Sequence, residues 1–293
     1  MKILVTGAAG FLGANVVRHL LNQGFDVTTF DKADHTIEGA RTVVGDLLDP
    51  ASVKGAAEGQ DAIVHIGAIG DVYLAGEQPA LASSVNVVGS AQIAEAAKEA
   101  GARVVYASTW EVYGKPVADV ITEEHPCEPD HPYNITKLAG ERILLAADHL
   151  NDVPTLALRL GTAYGPGLRS NSVFRLFIDK ARRKQPITIQ GDGSQFRQFT
   201  YSDDIAEAFS LACQSELHGE VMNIVAPEPV SIKQLAEVVV ARYPTEIQFT
   251  EARPGDVPPA VVSSEKAGRL LGWKPGVTFE DGMGRLMDLT PTQ

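Results

Sequence analysis

The sequence predicts an α/β protein in which a doubly wound parallel sheet is joined by a smaller α/β region. Two observations lead to this fold class. Short apolar runs alternate with longer amphipathic stretches through the first 160 residues, which is the pattern of a parallel sheet with crossover helices. Beyond residue 161 the loops become richer in Gly and Pro, with shorter strands and helices between them. We therefore predict a first domain over residues 1–160, joined by about residues 200–225, and a smaller region over residues 161–293.

Six apolar runs are predicted strands, and three amphipathic stretches are predicted helices. The strands cover residues 3–5, 27–30, 42–44, 62–64, 103–106 and 156–158. The first helix covers residues 11–21, with its apolar residues in one stripe. Two long helices cover about residues 85–100 and 132–150. The second opens with a proline, which is favoured at the first helical position.

The composition is that of a soluble globular protein. Apolar residues make up 44% of the 293 residues, and no apolar segment approaches the roughly 20 residues needed to cross a bilayer. The formal net charge of −12 opposes binding to nucleic acid or to an anionic membrane. Cys127 and Cys213 show neither metal-ligand spacing nor a disulfide framework. We expect a cytoplasmic protein with no metal, nucleic-acid or membrane partner.

A glycine-rich turn lies between the first predicted strand and the first predicted helix. Gly7, Gly10 and Gly13 follow the spacing G-x-x-G-x-x-G. Gly7 permits a tight turn, Gly10 lets the backbone approach a pyrophosphate, and Gly13 lets the helix press onto the sheet. The N–H groups at the helix start, at Phe11 and Leu12, then face the anion. The turn predicts a dinucleotide-binding site.

Acidic residues follow the next two predicted strands. A carboxylate at Asp31 accepts hydrogen bonds from a ribose diol and repels a 2′-phosphate, which favours NAD, while Lys32 beside it leaves NADP open. Asp46 follows the third strand and either reaches the adenine amino group or serves as a turn or N-cap acid. Leu47 is assigned to the same end of the cofactor. His65, near the expected pyrophosphate, is interpreted as a structural histidine.

Tyr133 and Lys137 lie four residues apart, on one face of a predicted helix. A free phenol has a pKa near 10. We expect the ammonium and a positively charged nicotinamide ring to lower the pKa of Tyr133, which makes it a candidate general acid/base for a hydroxyl group. Such a pair is usually structural, but here it follows a fifth strand and a Ser/Thr loop. In that loop, Thr109 is placed to hold the reacting oxygen and completes the candidate catalytic set.

These features together resemble the extended short-chain dehydrogenase/reductases, the NAD-dependent epimerase/dehydratase family whose best-known member is UDP-glucose 4-epimerase. The resemblance covers essentially the whole chain, through later segments at residues 86–89, 191–197, 201–204, 253–256 and 270–273. It implies a Rossmann domain that binds NAD, a smaller substrate-binding domain and a nucleotide-sugar substrate, with a UDP-sugar favoured. The two long helices resemble those that form a dimer interface in relatives, which implies a homodimer.

The resemblance also implies which side chains bind the substrate. Arg197 and Arg253 match arginines that hold the nucleotide diphosphate, and a guanidinium fork suits phosphate oxygens. The alternative for each is a surface salt bridge. Thr162 stands where the family usually has Asn, and Gln198 where it often has Asp. The further substrate contacts implied are Thr109, Trp110, Glu111 and Thr162.

The residue before Glu111 bears on the type of reaction. Related 4,6-dehydratases carry an Asp there as the acid that expels the C6 hydroxyl, whereas this chain carries Trp110. An indole cannot protonate a leaving group, so dehydration lacks its acid, but decarboxylation needs none. The leading hypothesis is a sugar 4-epimerase that works through a 4-keto intermediate and returns the hydride. The alternatives are a dehydrogenase or decarboxylase acting on a sugar acid or nucleotide-sugar, and a non-catalytic NAD-binding protein.

Overall fold

The computed structural model describes residues 1–251 and 260–289, and these contain a large parallel sheet and a smaller α/β region. The strands are β1 Lys2–Thr6, β2 Asp26–Asp31, β3 Arg41–Val44, β4 Ala62–His65, β5 Arg103–Thr109, β6 Val120–Ile121, β7 Thr155–Leu160, β8 Thr162–Tyr164, β9 Ile187–Gln190, β10 Phe196–Tyr201, β11 Glu220–Ile224, β12 Pro229–Ser231, β13 Ile247–Thr250 and β14 Val261–Val262.

Helices connect most of these strands. They are α1 Phe11–Asn22, α2 Pro50–Ala57, α3 Val72–Glu77, α4 Pro79–Ser83, α5 Gly89–Ala100, α6 Pro132–Asn151, α7 Val173–Arg182, α8 Ser202–Gln214, α9 Ile232–Arg242, α10 Glu265–Leu271 and α11 Phe279–Leu289. In the described ranges, no helix is both long enough and apolar enough to span a membrane.

The main sheet has the order β11-β7-β5-β4-β1-β2-β3, and every neighbouring pair is parallel. From β1 the chain proceeds outward in one direction through β2 and β3, and then in the other direction from β4. Between β1 and β4 this reversal opens a crevice at the carboxyl ends of the strands, where such sheets bind ligands. The six predicted strands are all present, and β11 adds an edge strand.

Helices cover both faces of this sheet. Successive residues of a strand point to opposite faces, so Leu4 and Val5 of β1 belong to different cores. Val5 packs with Val17 of α1 and Phe209 of α8, whereas Leu4 packs in the core that contains Ile93 of α5. Burial of each such side chain contributes about 1.5–3 kcal/mol. The predicted doubly wound α/β architecture is confirmed.

One predicted helix begins differently from the prediction. A wider, π-type turn over Ser84–Val88 comes before α5. Within it, the buried Asn86 accepts a hydrogen bond from the Ile69 N–H at 2.7 Å and donates to Thr136 Oγ1 at 3.0 Å. The turn therefore fastens the loop after β4 to α6, the helix that carries Tyr133 and Lys137.

The smaller region forms its own core around aromatic rings. Its central strand β10 runs parallel to β8 and antiparallel to β12. Tyr164 stacks on Phe174 with ring centroids 5.0 Å apart, and Phe174 meets Phe199 at 4.8 Å. Only Gly161 separates β7 from β8, so this region starts directly at the carboxyl edge of the main sheet. The division of the chain at residue 160 stays a prediction.

Candidate active site

The glycine turn is shaped by close backbone contacts. Gly7 has a φ of +72°, a left-handed conformation that favours glycine, and a Cβ on it would lie 2.7 Å from Gly67 Cα. A Cβ on Gly13 would lie 2.1 Å from the carbonyl oxygen of Gly7. Sequence reasoning missed Gly67, whose N–H donates to Thr6 Oγ1 at 3.1 Å. The signal available was a glycine just after the fourth predicted strand.

The first turn of α1 leaves its N–H groups available to an anion. Gly10 is the N-cap residue with extended backbone, no side chain caps the helix, and its first turn contains no acidic residue. Phe11 and Leu12 therefore present N–H groups at the positive end of a 12-residue helix. This arrangement fits a pyrophosphate group.

Asp31 is held at the end of β2, beside the glycine turn. Its Oδ2 accepts a hydrogen bond from the Ala9 N–H at 3.0 Å, and its Oδ1 accepts one from the Ala33 N–H at 2.9 Å. Each carboxylate oxygen keeps a second lone pair. The fixed carboxylate therefore fits hydroxyl groups of a ribose.

Asp46 and Lys32 form an ion pair next to Asp31. Lys32 Nζ lies 2.7 Å from Asp46 Oδ2, and the other oxygen of Asp46 accepts the Leu48 N–H at 3.0 Å. Asp49, rather than Asp46, is the N-cap residue of α2. Of the interpretations left open, Asp46 is a turn acid and not an N-cap, and its contact with adenine remains a proposal.

Leu47 and His65 lie beneath the crevice. Leu47 is buried, and a Cβ on Gly67 would lie 2.9 Å from its Cδ1. His65 Nδ1 lies 2.8 Å from Thr6 Oγ1 and its Nε2 lies 3.1 Å from Ser90 Oγ. Burial lowers the pKa of His65 to about 3, so the ring is neutral. It is a structural histidine, as expected.

Helix α6 presents Tyr133 and Lys137 towards β5. The helix has Pro132 at its first position, and its N-cap residue His131 accepts the Tyr133 N–H through Nδ1 at 3.2 Å. Lys137 is buried, with its Nζ 4.1 Å from the centroid of the Tyr106 ring. Burial lowers the pKa of Lys137 to about 7, although the negative charge of Glu141 opposes the shift.

The environment of Tyr133 shifts its pKa in the direction opposite to the prediction. Burial of the phenol raises the pKa, and the nearby carboxylate of Glu111 raises it further. The positive charge of Arg169 and a hydrogen bond with Thr109 lower it, but by less. The predicted lowering of the Tyr133 pKa was therefore wrong as far as the protein's own groups are concerned. Loss of hydration disfavours the phenolate more than the neighbouring donors and cations favour it.

Thr109 and Glu111 lie together beside that phenol. Thr109 caps the short 3₁₀ turn Trp110–Tyr113, and its Oγ1 accepts the Glu111 N–H at 3.3 Å. Burial raises the pKa of Glu111, while the positive charge of Arg197 lowers it. The structure thus brings Thr109, Glu111 and Tyr133 to one place, with Arg197 close enough to act electrostatically. Trp110 packs against an apolar cluster formed by Tyr113, Ile121, Val225 and Val262.

The remaining predicted substrate contacts lie in the smaller region. Leu160 of β7 pairs with Thr109 of β5, so Thr162, two residues further on, lies at the same edge of the sheet. Arg197 is exposed on β10. The prediction for Arg253 lies outside the described residues.

Gln198 has a structural role that explains its presence where the family often has Asp. Its Nε2 donates to the carbonyl oxygens of Val262 at 3.1 Å and Ala226 at 2.9 Å, and its Oε1 accepts the Val262 N–H at 2.7 Å. A carboxylate has no N–H to donate to a carbonyl. The amide therefore fastens β14 to β10.

A buried ionic network lies behind the catalytic candidates and was missed by sequence reasoning. Glu141 accepts hydrogen bonds from Ser108 Oγ at 2.6 Å and from Arg159 Nη2 and Nε at 2.6 and 3.0 Å. The guanidinium of Arg159 lies over the Tyr113 ring, 4.7 Å from its centroid. The available signal was Glu141 itself, four residues after Lys137 on the same helical face. Among the described residues, no cluster of His, Cys, Asp or Glu is arranged to hold a metal ion.

Comparisons with known proteins agree with this geometry. The sequence profile of the NAD dependent epimerase/dehydratase family matches residues 3–225. UDP-glucose 4-epimerase of Mycolicibacterium smegmatis is 30% identical over 306 residues and covers 98% of both chains. dTDP-glucose 4,6-dehydratase 1 of Escherichia coli is 31% identical over 334 residues, covering 98% of this chain and 92% of its own.

Solved structures show the same family similarity. UDP-glucose 4-epimerase of Thermotoga maritima with UDP-glucose superposes with a TM-score of 0.92 at 27% identity, covering 99% of this chain and 98% of that one. The family match and the uncapped glycine turn beside a fixed carboxylate lead to one conclusion. The chain belongs to the NAD-dependent epimerase/dehydratase family of extended short-chain dehydrogenase/reductases, and its cofactor is NAD.

Proposed function

We propose that this protein is an NAD-dependent 4-epimerase of a nucleotide-sugar, with a UDP-sugar as the favoured substrate. The observation that carries the proposal is the convergence of Tyr133, Thr109 and Glu111, with an apolar Trp110 where a dehydratase needs an acid. UDP-glucose 4-epimerases are among the most similar relatives over nearly their whole length.

The cofactor is assigned to the crevice between β1 and β4. The pyrophosphate is placed at Gly7 and Gly10 and at the N–H groups of Phe11 and Leu12, which open an uncapped helix. Asp31 is placed on the adenosine ribose. Lys32, Asp46 and Leu47 are assigned to the adenine end, whereas Tyr133 and Lys137 are assigned to the nicotinamide end.

The catalytic roles follow from the contacts of each side chain. Tyr133 removes the proton of the sugar 4-hydroxyl and later returns it, and Thr109 orients that hydroxyl group. Lys137 is assigned to the nicotinamide ribose, and its pKa of about 7 lets it exchange a proton near neutral pH. Bound NAD would supply hydride transfer at C4, and its positive ring would favour the Tyr133 phenolate that burial alone disfavours.

The substrate side is assigned to residues from both parts of the chain. Thr109, Trp110 and Glu111 border the sugar, and Thr162 lies at the same sheet edge. Arg197 and Arg253 are proposed to hold the diphosphate, because a guanidinium fork matches phosphate oxygens. Rotation of a 4-keto sugar within this pocket exposes its other face to the returning hydride.

Glu111 supports the second candidate function, a dehydrogenase or decarboxylase acting on a sugar acid or nucleotide-sugar. Its carboxylate affects Tyr133 electrostatically, so it lies near the reacting atoms. A non-catalytic NAD-binding role is the least favoured, because such a protein has no need for a tyrosine, a lysine and a threonine at one place.

We also propose a cytoplasmic homodimer. Leu81 of α4, Val88 of the π-type turn and Ile135 of α6 leave 38%, 49% and 47% of their surfaces exposed, and these elements pack beside one another. Exposed apolar side chains on neighbouring elements favour a protein partner, and a second copy agrees with the family resemblance. Sedimentation of Val88→Asp as a monomer, with the wild type as a dimer, would support this interface.

An NMR product assay tests the proposed function. The protein is incubated with a panel of UDP-, dTDP- and GDP-sugars and catalytic NAD, with Tyr133→Phe as the control. A C4 epimer from one sugar, absent with the variant, supports epimerisation and names the substrate. Free NADH or carbon dioxide without an epimer would instead favour the dehydrogenase or decarboxylase.

A further inference from the structure

Strands β2 and β3 bring Lys32 and Asp46 together. Asp31 and Val44 are paired across these strands, and the Gly45 N–H donates to the carbonyl oxygen of Asp31 at 2.9 Å. Lys32 follows Asp31 directly, and Asp46 follows Gly45, so both charged residues lie just beyond the paired strand ends. A Cβ on Gly45 would lie 2.1 Å from Ser52 Oγ, so this position is fixed by local packing.

The two side chains form a hydrogen-bonded ion pair. Lys32 Nζ lies 2.7 Å from Asp46 Oδ2, while Asp46 Oδ1 accepts the Leu48 N–H at 3.0 Å. The backbone contact fixes the carboxylate, so it is the flexible lysine that is drawn to it. The hydrogen bond from Lys32 also lowers the pKa of Asp46, which favours the charged carboxylate.

The ion pair borders the place proposed for the adenosine ribose. Asp31 is held there by the N–H groups of Ala9 and Ala33. A 2′-phosphate on that ribose would meet the negative charge of Asp31, and Lys32, the next residue, would be its natural counterion. In the pair with Asp46, the ammonium already has a partner.

We infer that Asp46 is a specificity-determining residue for the cofactor, because it holds Lys32 in an ion pair and so withholds that ammonium from the 2′-phosphate of NADP. Replacement of Asp46 by Asn breaks the ion pair and frees the Lys32 ammonium. An exposed ion pair contributes up to about 1 kcal/mol, so the preference for NAD should fall by up to about fivefold.

The test is a double-mutant cycle on cofactor binding. The dissociation constants of NAD and NADP are measured by calorimetry for the wild type, Asp46→Asn, Lys32→Met and the double variant. The readout is the ratio of the NADP constant to the NAD constant. Any contact of Asp46 with adenine affects both cofactors alike and cancels in this ratio. We expect Asp46→Asn to lower the ratio by up to about fivefold in the wild-type background and far less when Lys32 is absent.

Two results would overturn the inference. If Asp46→Asn leaves the ratio unchanged, the ion pair does not influence cofactor choice. If it lowers the ratio equally with and without Lys32, Asp46 acts through its own charge and not by holding the lysine. Since the inference rests on the proposed ribose position, Asp31→Asn is measured too. An unchanged ratio for that variant would reject the ribose position itself.

Discussion

Gly13 offers a sharp test of how the glycine turn is packed. In an open helix, Gly→Ala stabilises by about 1 kcal/mol, because alanine loses less conformational entropy. At Gly13, however, the new Cβ would lie 2.1 Å from the carbonyl oxygen of Gly7 and 2.9 Å from Ala8 Cα. Comfortable separation is roughly 3.5 Å, so the helix and turn would have to move apart by about 1.4 Å. Such overpacking costs about 1–3 kcal/mol, which outweighs the helical gain.

A matched glycine controls for helix propensity. Gly55 is exposed in α2, and a Cβ there would meet no atom within 4 Å. We expect Gly55→Ala to raise the free energy of unfolding by about 0.5–1 kcal/mol. Gly13→Ala should lower it by about 1–2 kcal/mol and weaken NAD binding by about tenfold or more. Urea unfolding and calorimetry measure both. Equal stabilisation by the two variants, with NAD affinity intact, would refute the described packing.

Three further predictions concern helix α6, which carries Tyr133, Lys137 and Glu141. Tyr133→Phe should lower turnover by about 100-fold or more, since it removes the proposed acid/base, while NAD binding persists in calorimetry. Glu141→Gln leaves the buried Arg159 without its counterion and should lower the free energy of unfolding in urea by about 3–5 kcal/mol. As a control, Glu237→Gln at an exposed ion pair should change that free energy by less than about 0.5 kcal/mol. Between pH 7 and its usual pKa of 10.5, Lys137 binds fewer protons in the folded state than in the unfolded state. The free energy of unfolding should therefore rise with pH through this range, by at most about 1.4 kcal/mol per pH unit. Lys137→Met should lack this rise when unfolding is measured at pH 7 and 9.

For each of these three predictions, one result would contradict the reasoning. Normal turnover in Tyr133→Phe would assign the proton transfer to another group. An unchanged unfolding free energy in Glu141→Gln would show that Arg159 is hydrated or paired elsewhere. Parallel pH profiles for the wild type and Lys137→Met would show that the ammonium keeps its ordinary pKa in the folded protein.

The parts of the fold that the sequence predicted depend on local patterns. Apolar runs and helical stripes located the six predicted strands and α1, because their periodicity is a property of adjacent residues. The glycine spacing likewise located the turn at Gly7, since strand, turn and helix follow one another. The wider turn before α5 was not predicted, because it depends on the contacts of Asn86 with Ile69 and Thr136.

The features that were missed depend on contacts between distant residues. Gly67 meets Gly7 across two strands, and Glu141 meets Arg159 across helix and sheet, so no short window contains either pair. The pKa of Tyr133 was predicted in the wrong direction because the sequence shows a nearby cation but not the extent of burial. The role of Gln198 became evident only with its contacts to β14.

The most direct test of the proposed epimerase follows the hydride itself. UDP-glucose labelled with deuterium at C4, or the labelled form of the sugar found active in the panel, is converted and the product is analysed by NMR. The proposed mechanism predicts a C4 epimer that still carries deuterium at C4. Deuterium at C6 would indicate dehydration, and deuterium in released reduced cofactor would indicate net oxidation. Either result would contradict the return of the hydride to the carbon that it left.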